Sequence, residues 1–479
     1  MLSTRHAALL IPLLASGCLV GPTYRRPSTP MTPAYKEAGG WAPVQPANAA
    51  DRIDWWTAFG DPVLDNLEGR IEASNQSLAA AEAAYREAHA LVAEDRAALF
   101  PTLTANGSAN ASGGGGGRGA PGSTSGGTTT AKGTQTVYQV SLGASWVPDL
   151  WGAVRRNIRS AKANAQASAA LVAGARLTAE TELAADYISL RELDQEKRDF
   201  DANIAAYQRT LTIVTNKYAA GNAPRSDVLS AQSQLESARA ADTDLIQQRA
   251  RMEHAIAILV GQAPAQLTLP PGPWSLTPPQ IPAGVPSTLL QRRPDIANAE
   301  RTAASRSELI GVAVAAFFPT LSLTGDGGFS AANIGKLFNV SSSFWSVGAQ
   351  VAETIFNGGA RSARVREARA AYDQAVANYR QTVLTAFGQV EDNLAAQKVF
   401  LTEEGQLRAA HDDARASLAI TLNEYRAGTV DYTTVDTAQV AADQSENALV
   451  QMQANRLTTA VSLIEALGGG FTTAALPKS

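Results

Sequence analysis

The chain has 479 residues, a net charge of −4, 45% apolar residues, one cysteine and four histidines. The apolar content excludes global disorder, the mild negative charge lacks the basic stripe of a nucleic-acid binder, and a single thiol excludes a disulfide framework or a Cys-rich metal centre. The scattered His6, His89, His254 and His411 argue against a His-based metal site. No Ser/His/Asp, metal or nucleotide constellation can be assembled, so no catalytic residue is expected.

Arg5 and the free amine form a positive start, Ala7 to Leu14 an apolar run, and Ala15, Ser16 and Gly17 a small-residue stretch before Cys18. The run is too short to span a bilayer and reads as a secretory signal over residues 1–17. Leu14-Ala15-Ser16-Gly17-Cys18 resembles a bacterial lipobox, with Ala15 where leucine is commonest. That resemblance implies a covalent lipid, diacylglycerol and an N-acyl chain, on Cys18, followed by a lipid-anchored N-terminal strap over 18–60. An ordinary signal with a chance cysteine is the alternative. Beyond Cys18 no stretch is apolar enough for a membrane helix, so any crossing must be a closed β-barrel.

The body of the chain is duplicated. Residues 62–99, Ala-rich and ending before Pro101, read as one helix. Extended segments at 102–112 and 135–147 flank a Gly/Ser/Thr loop at 113–133. A helix without proline runs from Gly152 to Tyr218, about 100 Å at 1.5 Å per residue, and Gly221 ends it before a return helix to Val260. After a Pro-rich linker at 264–286, Pro294-Asp295 opens another helix. Strands at 320–329 and 344–352 follow, then a helix over Ala360 to Ala427, a break at Gly428 and a return helix to Leu467. Leu99-Phe100-Pro101-Thr102-Leu103 recurs as Phe317-Phe318-Pro319-Thr320-Leu321, Gly152 as Gly358, and Tyr218-Ala219-Ala220-Gly221 as Tyr425-Arg426-Ala427-Gly428. The organisation expected is therefore a first repeat over 61–263, the linker, a second repeat over 287–468 and a tail at 469–479. Leu384, Phe387, Val390 and Leu394, spaced three and four apart, suggest lateral packing of the long helices into a wall.

The extended segments alternate. Val140, Leu142, Ala144 and Trp146 share one face of their segment, as do Leu321, Leu323 and Phe329 of the third, and Trp345, Val347, Ala349 and Val351 of the fourth. Each segment is about 10 residues, the length of a tilted membrane strand. A soluble sheet with one buried face has the same period. Four strands cannot close a membrane barrel, whose smallest form uses about eight. Copies must therefore pool their strands, and a conduit favours three copies over two, because eight strands leave an interior filled by side chains.

The phrases Val20-Gly21-Pro22-Thr23-Tyr24-Arg25-Arg26-Pro27, Trp55-Trp56 with Phe59-Gly60-Asp61-Pro62, and Trp146-Val147-Pro148-Asp149-Leu150-Trp151-Gly152 occur in order along the chain. Leu289-Leu290-Gln291-Arg292-Arg293-Pro294-Asp295-Ile296 with Ala299-Glu300 follows, then Ile310-Gly311-Val312-Ala313 with Phe317-Phe318-Pro319. With them the chain resembles the TolC-like outer-membrane efflux family, in its NodT-type lipoprotein branch. The resemblance implies a mixed α+β membrane protein: a homotrimer with a 12-stranded β-barrel, four strands per chain, continued by a long α-helical barrel with an equatorial α/β belt. It implies a lipid-anchored location in the bacterial outer membrane, extending into the periplasm, and docking to a periplasmic membrane-fusion adaptor and an inner-membrane pump of RND type. The protein would be a passive export duct for small molecules, with no cofactor apart from the lipid on Cys18 and no nucleic-acid partner. A type I protein-secretion duct and a non-conducting periplasmic lipoprotein scaffold are the alternatives.

In that frame the turns at Gly221 and Gly428 form the periplasmic tip, where glycine suits a left-handed helix cap. Asp227 and Asp431 are placed in the first turn of each return helix, where a carboxylate complements the dipole; capping alone is the other reading. Tyr432 is a further tip candidate. Relatives carry a charged constriction shortly after the second glycine, where this chain has Thr437 and Val440. Asp436 lies one residue earlier, rotated about 100°, and is the remaining gate candidate.

Overall fold

The computed structural model describes residues 19–30, 32–38, 54–113, 135–279, 281 and 291–477. The expected signal at 1–17, Cys18, nearly all of the 113–133 loop and the end of the 264–286 linker lie outside the described residues. Helices are α1 (Pro62–Ser74), α2 (Gln76–Ala97), α3 (Ala153–Ala219), α4 (Arg225–Leu259), α5 (Pro294–Ala315), α6 (Ala360–Ala427) and α7 (Tyr432–Leu467), and strands are β1 (Thr102–Ser112), β2 (Gln135–Trp146), β3 (Thr320–Ala331) and β4 (Ser343–Ala352). The order α2-β1-β2-α3-α4 is repeated as α5-β3-β4-α6-α7, with long helices of 67 and 68 residues in equivalent places. Among the described residues no helix is long and apolar enough to cross a membrane.

The single helix expected over 62–99 is two. Asp61 caps the first, accepting from the Val63 and Leu64 amides at 2.8 and 3.3 Å. Asn75 then divides the run: its amide closes α1 on the Ile71 carbonyl at 3.0 Å, and its Oδ1 accepts from the Leu78 amide at 2.9 Å as an N-cap. Its Nδ2 donates to the Leu259 carbonyl at 2.8 Å. This break is set by a tertiary partner, not by helix propensity.

The chain divides into two compact units. One comprises the strap up to Arg26 with Ala88–Asn164 and Ala303–Ala375. It holds a four-stranded antiparallel meander in the order β1-β2-β3-β4. Its registers put like faces together, Leu103 opposite Ala144, Val140 opposite Phe329 and Leu321 opposite Val351. Here the strap is bound. Arg156, 1% exposed, donates to the carbonyls of Val20, Gly21 and Pro22 at 3.2, 3.1 and 2.8 Å and to Glu308 at 2.8 Å. Gly21 lies at φ +95°, and a Cβ there would sit 2.5 Å from the Gly311 Cα, while one on Gly311 would meet the Arg156 Nε at 2.7 Å. Two glycines thus allow strap, helix and guanidinium to meet.

The other unit comprises Pro27–Glu87, Ala165–Thr302 and the chain from Val376 onward. Its main core gathers Trp55, Phe59, Leu64, Leu67, Tyr187, Ile188, Ile256, Leu457 and Ile464. Val390 and Leu394 are fully buried and Phe387 packs against the core, while Leu384 is 46% exposed on the single chain. The described part of the Pro-rich segment is inlaid, with Leu267, Leu269, Leu276 and Ile281 buried. Arg249 and Arg191 donate to the carbonyls of Leu269 and Pro270 at 2.6 and 3.0 Å, and buried Asp194 accepts from both arginines at 2.8 and 2.7 Å. Burial, then Glu180 and Asp65 nearby, pushes the Glu68 carboxyl up to about 10, so it sits in the core as the neutral acid.

Candidate functional site: an unfinished sheet and two helix turns

The sheet has two free edges, β1 and β4, among the described residues. Its odd–even alternation puts Leu103 (78% exposed), Leu142 (66%), Trp345 (81%) and Val347 (80%) on one outward apolar face. Thr102, Thr104, Asn106, Ser108 and Asn110 of β1 share the other face with Gln139, Ser141 and Ser145 of β2. Among the described residues no further layer covers the apolar face. Aromatic side chains mark both of its margins. At one, Trp151 stacks on Phe318 at 4.7 Å and donates to the Pro319 carbonyl at 2.7 Å, and Trp146 donates to the Leu99 carbonyl at 3.0 Å. At the other, Phe329 meets Phe338 edge-on at 5.7 Å. An apolar band between aromatic girdles is what a membrane strand set presents to lipid.

The helix turns are near-copies. Gly221 and Gly428 lie at φ +76° and +82°. In each, the following amide reaches back five residues, Asn222 to the Lys217 carbonyl at 2.8 Å and Thr429 to the Glu424 carbonyl at 3.0 Å. These are Schellman caps, which use the left-handed glycine to satisfy the last carbonyls. The starts of the return helices differ. Asp431 is the N-cap of α7 rather than a first-turn residue, and it accepts from the Thr434 amide and hydroxyl at 3.0 and 2.7 Å. Those bonds hold its carboxyl below the usual range. Pro224 is the N-cap of α4, with Asp227 in the first turn beside Ser226.

Around the turns a small cluster joins Tyr425, Tyr432, Val435, Val214 and Ala231. Tyr425 and Tyr432 meet edge-on at 6.1 Å. Lys217 donates to the Tyr425 carbonyl, and its ammonium lies 4.0 Å from the centre of that ring. Thus Lys217 of the first turn is tied to Tyr425 of the second, whose buried ring packs on Tyr432 across Gly428. Burial, then the charges of Asp436, Tyr425 and Asp227, pushes the Tyr432 hydroxyl up. Asp436 is half-buried, and that burial raises its carboxyl. Further along, Tyr207 donates to Asp443, which is raised by burial.

The structure therefore brings Tyr432 into the joint, leaves Asp227 and Asp436 close enough to act on it by charge, and gives Asp431 a cap on its own helix. Lys217 and Tyr425 are the residues that sequence reasoning missed. Tyr218 and Tyr425 occupy the same place in the repeat, yet Tyr218 is 45% exposed and Tyr425 4%. No local signal separates them.

A sheet with an uncovered apolar face and unpaired edges, joined to helices far longer than a globule uses, defines a membrane channel subunit. The family model "Outer membrane efflux protein" matches residues 68–262 and 285–469. The outer membrane protein OprJ of Pseudomonas aeruginosa is 31% identical over 472 residues, 97% of this chain and 95% of the relative. The toluene efflux pump outer membrane protein TtgC of Pseudomonas putida is 30% identical over 96% of this chain and 94% of its own. The solved outer-membrane channel OprN superposes with a TM-score of 0.85 at 29% identity, over 94% of this chain and 99% of that one. The chain belongs to the outer membrane efflux protein family. It is an outer-membrane efflux channel, a transport protein and not an enzyme, and the family needs no cofactor.

Proposed function

We propose that three copies of this chain close one conduit, through which small molecules leave the cell, delivered by an inner-membrane pump of RND type through a periplasmic adaptor. The observation that carries this is the sheet: four strands, two free edges and an apolar outer face. An open edge is not tolerated in lipid, and three copies bring twelve strands, enough for an open lumen. In this reading the loops after β1 and β3 face outside the cell, and the turns at Gly221 and Gly428 form the aperture to which the adaptor docks. The toluene efflux relative favours small molecules over a secreted protein.

Purified full-length protein is expected to form heat-modifiable trimers in the outer-membrane fraction and to conduct in planar bilayers. A water-soluble, non-conducting monomer would overturn the conduit. At the aperture, Asp436→Ala is expected to raise the conductance of the isolated trimer, since it removes a half-buried charge acting on Tyr432. Unchanged conductance and unchanged antibiotic uptake would remove Asp436 from the gate.

Cys18 is proposed as the lipid attachment site. Acyl chains contribute about 0.8 kcal/mol per buried CH₂, so the lipid adds a second anchor to the barrel. Cys18→Ala is expected to abolish labelling by radioactive palmitate. Persistent labelling of this variant, whose only thiol is gone, would place the lipid elsewhere.

A further inference from the structure

Beside the aromatic margin at Trp151 lies a cleft of about 630 Å³. One wall is the strap backbone from Gly21 to Thr23 with Arg25; the others are Ser307, Ile310 and Val314 of α5 and Arg369 and Tyr372 of α6. Two arginines line it and no carboxylate does. Neither Arg25 nor Arg369 forms an ion pair among the described residues. Ile310 and Val314 give an apolar side, and Ser307 and Tyr372 give hydroxyls.

We propose that this cleft binds the phosphate of an anionic membrane glycerophospholipid, in the leaflet that meets the periplasm. The proposal rests on the conduit reading above, which places the aromatic margin at the lipid–water boundary. The cleft opens at that boundary: the Val20 amide donates to the Trp151 carbonyl at 3.3 Å, and Val314 lies on the last turn of α5, just before Phe317 and Phe318. Arg369 is in the third turn of α6, about 14 Å of helix axis from its start. Helical side chains lean toward the helix N-terminus, so the long Arg369 side chain rises toward the headgroup layer while its stem covers apolar surface. Two guanidiniums suit a phosphate, which takes paired N–H donors, and the apolar wall suits the glycerol and the first acyl carbons. The first ten residues of α6 add Arg364 and Arg366 against Glu367, with Arg361 paired to Glu353, a basic collar of the kind that draws anionic lipid. Arg156 fixes the strap ahead of Arg25 by holding the Val20, Gly21 and Pro22 carbonyls.

The test is native mass spectrometry of the full-length trimer in detergent, titrated with phosphatidylglycerol, phosphatidylcholine or inorganic phosphate. Expected are up to three phosphatidylglycerol molecules per trimer, bound roughly tenfold more tightly than phosphatidylcholine, because two arginines favour the net anion. Arg25→Gln with Arg369→Gln should bring phosphatidylglycerol down to the phosphatidylcholine level in a trimer that still conducts, and the double lysine variant should retain the preference in part. Equal occupancy by the two lipids, retention in the glutamine variant, or displacement of the lipid by an equal concentration of inorganic phosphate would each overturn the site. So would a conducting trimer that binds no lipid, as when a neighbouring subunit covers the cleft. Failure to form a trimer would overturn the conduit reading and this site with it.

Discussion

Replacing Arg156 by methionine is expected to release the strap. The change removes the donor to the Val20, Gly21 and Pro22 carbonyls and leaves Glu308, whose side chain is 11% exposed, without its partner at 2.8 Å. Breaking a buried pair on one side costs about 3–5 kcal/mol, which at about 1.4 kcal/mol per decade raises the released fraction roughly 100-fold or more. The readout is trypsin cleavage between Arg25 and Arg26, followed by the mass of the new N-terminus. In the unaltered chain the strap is pinned to the α5 surface through Gly21 and Gly311, and cleavage should be slow. Equal cleavage rates in the two proteins would mean that the guanidinium does not hold the strap. Arg159→Met is the control, an exposed arginine about one turn further along α3 that is absent from the bonds to the Val20, Gly21 and Pro22 carbonyls.

Tyr425→Ala should open the aperture and Tyr218→Ala should not. Both tyrosines stand before a capping glycine in equivalent places of the repeat, but only Tyr425 is buried, against Tyr432, with Lys217 over its ring. Truncating a buried aromatic side chain costs about 3–5 kcal/mol. If the joint between the two turns is what keeps the tip closed, that cost shifts the closed–open balance by about 100-fold or more. Conductance of the isolated trimer should then rise well above that of the parent for Tyr425→Ala and stay at the parent level for Tyr218→Ala. A parallel rise in both variants, or in neither, would show that the joint does not close the channel. Lys217→Met should give a smaller rise in the same direction, since it removes one hydrogen bond and one cation–π contact.

Much of the fold was legible because its signals are local. The period of two in β2, β3 and β4 is a property of neighbouring residues. So are the proline-free runs of α3 and α6, and the glycines that cap them at 221 and 428. The shortfall of four strands was legible too, since closure in lipid is a matter of counting. The break at Asn75 was not, because the same Ala-rich composition continues on both sides and the deciding partner is a carbonyl at Leu259, remote in sequence.

The sequence by itself determined the elements, their duplication and the need for more than one copy, all of which follow from backbone periodicity and from the cost of unpaired backbone in lipid. Only the tertiary structure decided which members of the duplicated pairs are buried. Tyr425 is covered and Tyr218 is not; Arg156 is a latch for the strap, while Ser362 in its place in the second repeat donates to the Gly359 carbonyl of its own exposed turn. The physical reason is that burial is conferred by segments far away in the chain. Two copies of one local pattern acquire different neighbours when they fold together, and their chemistry follows the neighbours.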